Sequence, residues 1–247
     1  MPMPLLAASF QSVYQFFAQG GFFMVLLLCC SVVALAIILL RGLALRRELV
    51  VPERIEHEIN LLDPDGGDAV QKLMPLVEGQ DAALARIVQV GLKHLGWTKS
   101  ENIETVQTRA RHEIVLLESG LFVLEVIVGI APLLGLLGAV AGLVTVFATL
   151  GASANVSDPR GIAKGISEAL STTIVGLSIA IPCLIAHTYF TKKIETMAAE
   201  MESLVVEMLS KCYEQKKRRA TARVSTPAGP GAAYAPQPRK NEPGSRL

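Results

Sequence analysis

One long apolar segment, residues 165–186, carries polar side chains that could line a narrow hydrated path. It contains a single carboxylate, Glu168, and Thr172 follows one helical turn later on the same face. An ionisable group at membrane depth costs about 2.5–3.5 kcal/mol, so it should face a bundle interior or a wet cavity. Position alone equally allows Glu168 to lie close enough to the outer interface to be hydrated.

The hydroxyl groups of Thr172, Thr173 and Thr145 have two possible uses. Such hydroxyls can bond the carbonyl groups of their own helix, which is the commoner case, or they can line a narrow hydrated path. Both uses remain open at this point.

Small residues run beside these hydroxyls at the spacing of one helix face. They are Gly135, Gly138 and Gly142 in one apolar segment and Gly176 in the next. Small residues at this spacing let membrane helices approach closely, so we interpret these glycines as packing positions. Pro132 and Pro182 predict local bends, whose freed carbonyl groups serve packing or water.

Three apolar runs are long enough to cross a bilayer, since about 18 apolar residues span its hydrocarbon core as a helix. We therefore predict an all-α membrane protein with three transmembrane helices, the second and third of which extend as long helices into the cytoplasm. The helical pattern that starts near Ser100, the predicted N-cap, indicates one uninterrupted helix from Glu101 into the second span.

Two cytoplasmic stretches carry apolar stripes with a spacing of three and four residues. One contains Leu84, Ile87, Val88 and Leu92, and the other runs from Ile194 to Leu209. The second stripe should pack on the cytoplasmic helices or on a neighbouring subunit.

Basic residues indicate the orientation, because Lys and Arg concentrate on the cytoplasmic side. Residues 1–40 contain none, and only Arg160 and Lys164 lie between the second and third spans. The predicted order is a periplasmic amphipathic helix (1–21), span one (22–40), a cytoplasmic helical domain (41–120), span two (121–150), a periplasmic loop (151–163), span three (164–190), a cytoplasmic helix (191–220) and a disordered tail (221–247).

The sequence lacks the patterns of an enzyme. No nucleotide-binding loop, metal-ligand spacing or nucleophile motif is present, and the four histidines are scattered. We therefore predict no catalytic residue, no cofactor, no metal and no nucleic-acid partner.

Two motifs carry a family resemblance. Residues 131–142 (APLLGLLGAVAG) and 165–182 (GISEALSTTIVGLSIAIP) resemble the MotA/TolQ/ExbB proton-channel family, and the three-span pattern is most similar to its ExbB branch. The resemblance implies a pore-ring subunit of an inner-membrane proton-driven motor. It also implies a homopentamer around a dimeric, single-span ExbD/TolR-like partner that carries the protonatable aspartate, and a TonB-like protein that receives the force.

The resemblance also assigns individual residues. Thr173 matches the pore-facing threonine of the third helix, and Glu168 matches the glutamate of the family. Ala139 stands where the family's second helix has a threonine, so one hydroxyl of the implied proton path is missing. Thr145 or water could take its place. A TolQ-like subunit for envelope maintenance and a non-conducting membrane scaffold remain as alternatives.

Overall fold

The computed structural model describes residues 21–63, 69–152 and 159–225, which contain no strand. The predicted amphipathic helix (apart from Gly21), the centre of the periplasmic loop and most of the predicted tail lie outside these ranges. The helices in the described ranges are α1 (Gly21–Ala44), α2 (Arg47–Val50), α3 (Glu53–Asn60), α4 (Ala69–Val77), α5 (Ala83–Lys93), α6 (Lys99–Glu118), α7 (Leu121–Ala152) and α8 (Pro159–Ser225).

Three of these helices, α1, α7 and α8, are long and apolar enough to cross a membrane, as the sequence predicts. α7 packs against α8 along most of its length, and α1 packs against both. Apolar side chains on the outer faces of the three spans stay exposed, for example Leu133, Val144 and Ile174. Such surfaces suit lipid or another membrane helix.

The half of α8 that follows its apolar span is the centre around which the short helices fold. Both predicted apolar stripes are buried in one continuous core, so the α8 stripe packs on the short helices of its own chain. Polar contacts fix the register. Lys211 donates to the carbonyl groups of Ile59 and Asn60 at the end of α3. The Tyr213 hydroxyl donates to the Trp97 carbonyl, 3.1 Å away, just before α6.

The predicted single helix from Glu101 into the second span is wrong, because the chain breaks between α6 and α7. Ser119 ends α6 with extended backbone, and Gly120 has a φ of 84°. That left-handed conformation is readily available to glycine and is the usual way in which a helix ends. We call these two residues the Ser119–Gly120 joint.

Two other predicted boundaries also differ. The N-cap of α6 is Thr98 rather than Ser100, and it forms a capping box with Glu101. In that box the Thr98 side chain accepts from the Glu101 N–H, and the Glu101 carboxylate accepts from the Thr98 N–H, so two otherwise unpaired donors are satisfied. At the other end of the chain, α8 continues through Ser225, beyond the predicted end of the cytoplasmic helix at residue 220.

Candidate proton path

The small residues of α7 and α8 bring the two helix backbones into direct contact. A Cβ atom placed on Gly135 would lie 2.8 Å from the Thr172 carbonyl oxygen and 3.1 Å from the Thr173 Cα. A Cβ placed on Gly176 would lie 2.5 Å from the Ala131 carbonyl oxygen, and one on Gly142 would lie 3.0 Å from the Ala169 Cβ. These positions cannot hold a larger residue without a shift of the neighbouring helix.

Two hydroxyl groups of α8 converge on one carbonyl group of α7. Thr172 Oγ1 and Thr173 Oγ1 lie 3.1 and 3.2 Å from the Gly135 carbonyl oxygen and donate to it. Thr172 also lies 2.8 Å from the Ala169 carbonyl of its own helix and is buried. Each hydroxyl keeps oxygen lone pairs that can accept from water. The contact is therefore polar within an otherwise apolar pair of helices.

The other candidate residues are placed differently. Thr145 Oγ1 donates to the Ala141 carbonyl of its own helix, 3.0 Å away, and the residue is exposed. Ala139 is buried, with 7% of its surface exposed. Gly138 lies against α1 as well as α8, since a Cβ there would be 3.2 Å from Phe23 Cβ and 3.1 Å from Thr172 Oγ1.

Glu168 stays outside this group of hydrogen bonds. Its carboxylate lies 3.7 Å from the Lys164 ammonium group, one turn earlier on α8, and the side chain is 36% exposed. An exposed pair of this kind contributes little to stability. Glu168 is thus accessible in the isolated chain.

Pro132 and Pro182 lie inside α7 and α8, and both helices continue through them. Proline lacks a backbone N–H, so each one leaves a carbonyl group of the preceding turn without its helical partner. A membrane helix tolerates this loss where neighbouring helices, hydroxyls or water supply another donor.

Sequence reasoning missed a buried ionic cluster in the core of short helices. The Glu113 side chain is fully buried, and both of its oxygens accept from Arg86, at 2.9 and 2.6 Å. Arg109, one turn earlier on α6, lies 2.6 Å from the same carboxylate. The signal was present, because Glu113 occupies the same helix face as Val106 and Ala110, where a charge needs a partner.

The arginines determine the charge state of this carboxylate. Burial would raise the pKa of Glu113, but hydrogen bonds and charge from Arg86, with further charge from Arg109 and His112, hold it below its ordinary value. The cluster therefore connects α5 to α6 with an ionised glutamate. It lies among the short helices, apart from the polar contact that α7 and α8 form within the spans.

Comparison with known proteins places this geometry in context. Residues 79–203 match the model of the MotA/TolQ/ExbB proton channel family. An ExbB-like biopolymer transport protein of Synechocystis is 31% identical over 187 residues, which is 74% of this chain and 72% of the relative. The ExbB biopolymer transport protein of Neisseria meningitidis is 25% identical over 203 residues, which is 75% of this chain and 88% of that protein.

An ExbB homolog of Methanothermobacter thermautotrophicus is 33% identical over 137 residues, and this chain spans about half of its length (47%). The family match includes α7, the hydroxyl-bearing part of α8 and the Glu113 cluster. The chain therefore belongs to the MotA/TolQ/ExbB proton channel family.

Proposed function

We propose that this chain is the pore-ring subunit of a proton-driven motor in the bacterial inner membrane, with a role similar to that of ExbB. The carrying observation is the convergence of Thr172 and Thr173 on the Gly135 carbonyl, within the helix pair that the family match covers. The chain works as part of a transport complex and not as an enzyme.

In this proposal five copies form a ring, with α7 and α8 lining a central pore and α1 on the outside. The N-terminus is periplasmic and the C-terminus cytoplasmic. The basic residues support this orientation, because Arg41, Arg46 and Arg47 follow the first span and Lys192 and Lys193 follow the third. A dimeric single-span partner similar to ExbD or TolR occupies the pore.

The chemistry of the α7–α8 contact explains why a partner is needed. The hydroxyls of Thr172 and Thr173 do not titrate near neutral pH, and each already donates to a carbonyl. They can accept hydrogen bonds from water or from a protonated group, but they cannot carry a proton by themselves. A partner aspartate that passes this site would supply the titrating group.

Proton flow provides the energy in this proposal. Each elementary charge that crosses the membrane is worth about 2.3 kcal/mol per 100 mV of potential. Rotation or rearrangement of the partner within the ring passes this energy to a TonB-like protein that spans the periplasm, and it serves transport across the outer membrane.

Purification of the complex tests whether the chain forms a ring around a partner. The chain, extracted in mild detergent with the product of a neighbouring single-span gene, should elute as a ring that encloses the second polypeptide, with five copies by native mass spectrometry. A stable monomer that retains no single-span protein would contradict the ring.

Substitution separates a channel from a scaffold. In vesicles that contain the complex, Thr173→Val and Glu168→Ala should reduce proton uptake. Ser178→Ala is the matched control, because the Ser178 hydroxyl bonds only its own helix in the described contacts, at the Ile174 carbonyl. The same three variants are then compared for function in cells. If the complex is a non-conducting scaffold, all three should keep that function.

A further inference from the structure

The Ser119–Gly120 joint separates a cytoplasmic helix from a membrane span at the level where span one ends. α6 stops at Glu118, α7 starts at Leu121, and Gly120 holds a positive φ of 84°. A single left-handed residue interrupts the ladder of helical hydrogen bonds. The two helices are therefore connected by a break in the helical hydrogen bonds and do not form one continuous helix.

Arg41, in the last turn of α1, holds this joint. Its guanidinium donates to Ser119 Oγ at 2.9 Å and to the Leu117 carbonyl at 3.3 Å. The end of α6 carries partial negative charge from unpaired carbonyl groups, which favours a cation there. A Cβ placed on Gly120 would lie 2.8 Å from Arg41 Nη2, so the glycine also leaves room for the guanidinium.

Open space lies beside the joint on the cytoplasmic side. A groove of about 490 Å³ lies between α6 and α8, and its walls include Ile114 and Glu118 on α6 and Glu195 and Glu202 on α8. The groove leaves open space beside the last turns of α6, next to the joint.

The second pore-side helix has no such break. α8 runs without interruption from Pro159 to Ser225, from the membrane into the cytoplasmic core. We infer that the angle between α6 and α7 changes at the Ser119–Gly120 joint while α8 remains one continuous helix. The hydrogen bonds of Arg41, at the end of span one, to Ser119 and Leu117 hold this angle. The angle at which α7 enters the membrane then depends on the position of span one.

Distances between spin labels test this inference in the full-length chain. The four cysteines Cys29, Cys30, Cys183 and Cys212 are replaced first. One pair of labels, at Thr108 and Leu133, then measures the distance across the joint. A reference pair, at Leu184 and Ser203, measures a distance along α8. Labelled chains are diluted with unlabelled ones, so that distances within one chain are measured.

In the unaltered chain the joint pair should be closer than the roughly 38 Å that a continuous helix of the same length would give. Arg41→Gln should broaden its distance distribution, and Arg41→Lys should broaden it less. Gly120→Ala should shift it toward the continuous-helix distance, because alanine disfavours a positive φ. The α8 pair should stay narrow in every variant.

Two results would overturn the inference. One is a joint pair with the same distribution in the unaltered chain, Arg41→Gln and Gly120→Ala. The other is equal broadening of the joint pair and the α8 pair, which would mean general loosening of the fold. Circular dichroism and gel filtration of each variant check that its helices and assembly are retained.

Discussion

Gly135→Ala should destabilise the protein, whereas a glycine-to-alanine substitution at an open position of the same helix should not. The new Cβ would lie 2.8 Å from the Thr172 carbonyl oxygen and 3.1 Å from the Thr173 Cα, and both of these are backbone atoms. No side chain can rotate to make room, so α7 and α8 must separate. The hydrogen bonds of Thr172 and Thr173 to the Gly135 carbonyl would then lengthen.

The size of the effect follows from three contributions. Forcing an extra methyl into a packed contact costs typically about 1–3 kcal/mol. Two weakened interhelical hydrogen bonds add about 0.6 kcal/mol each. Alanine returns about 1 kcal/mol through its higher helix propensity. The free energy of unfolding should therefore fall by about 1–3 kcal/mol.

Gly129→Ala is the matched control on the same helix. A Cβ placed on Gly129 meets nothing within 4 Å, so only the gain in helix propensity remains. Titration of the folded protein with sodium dodecyl sulfate in mixed micelles, followed by circular dichroism, measures both changes. If Gly135→Ala is as stable as Gly129→Ala, the tight backbone contact between α7 and α8 does not exist.

Three further changes test other parts of the structure. Thr172→Val keeps the shape but removes the one hydroxyl hydrogen that the Gly135 and Ala169 carbonyl groups share, and it should cost on the order of 1 kcal/mol in the same titration. Thr98→Ala should cost about 1 kcal/mol, because it breaks the capping box of α6. Glu113→Gln should destabilise the core of short helices at neutral pH. It should also reduce the loss of unfolding free energy at acid pH. The folded state holds the pKa of Glu113 below its ordinary value, so the ionised carboxylate stabilises the unaltered protein fully above that ordinary value. This stabilisation is lost as the pH falls through the lowered pKa.

The sequence was sufficient for the three spans, which apolar length alone predicts. The spacing of Gly135 and Gly142 predicts one close-packed face, and that interpretation stays a prediction. Both signals are local and periodic. The pairing of Gly135 with Thr172 and Thr173 is a contact between two helices, and the spacing within either helix does not contain it.

The joint and the ionic cluster show where local patterns are insufficient. Gly120 lies within a helical pattern, and only its positive φ and the Arg41 contact distinguish a helix end from a tolerated glycine. Glu113 and Arg109 look like an ordinary surface pair four residues apart. The pair is instead part of a buried cluster. α5 covers the Glu113 carboxylate, and Arg86 on α5 supplies the hydrogen bonds that water would otherwise give.

The two helices α7 and α8 contribute different chemistry to their contact. α7 supplies small residues and a carbonyl acceptor at Gly135, and α8 supplies the hydroxyl donors Thr172 and Thr173. Ala139 fits this division, since it is buried and adds no polar atom to the α7 side. A threonine at that position would bring a third hydroxyl, which would need an acceptor or water of its own. The hydroxyl groups of this helix contact therefore belong to α8, the helix that continues unbroken from the span into the core of short helices.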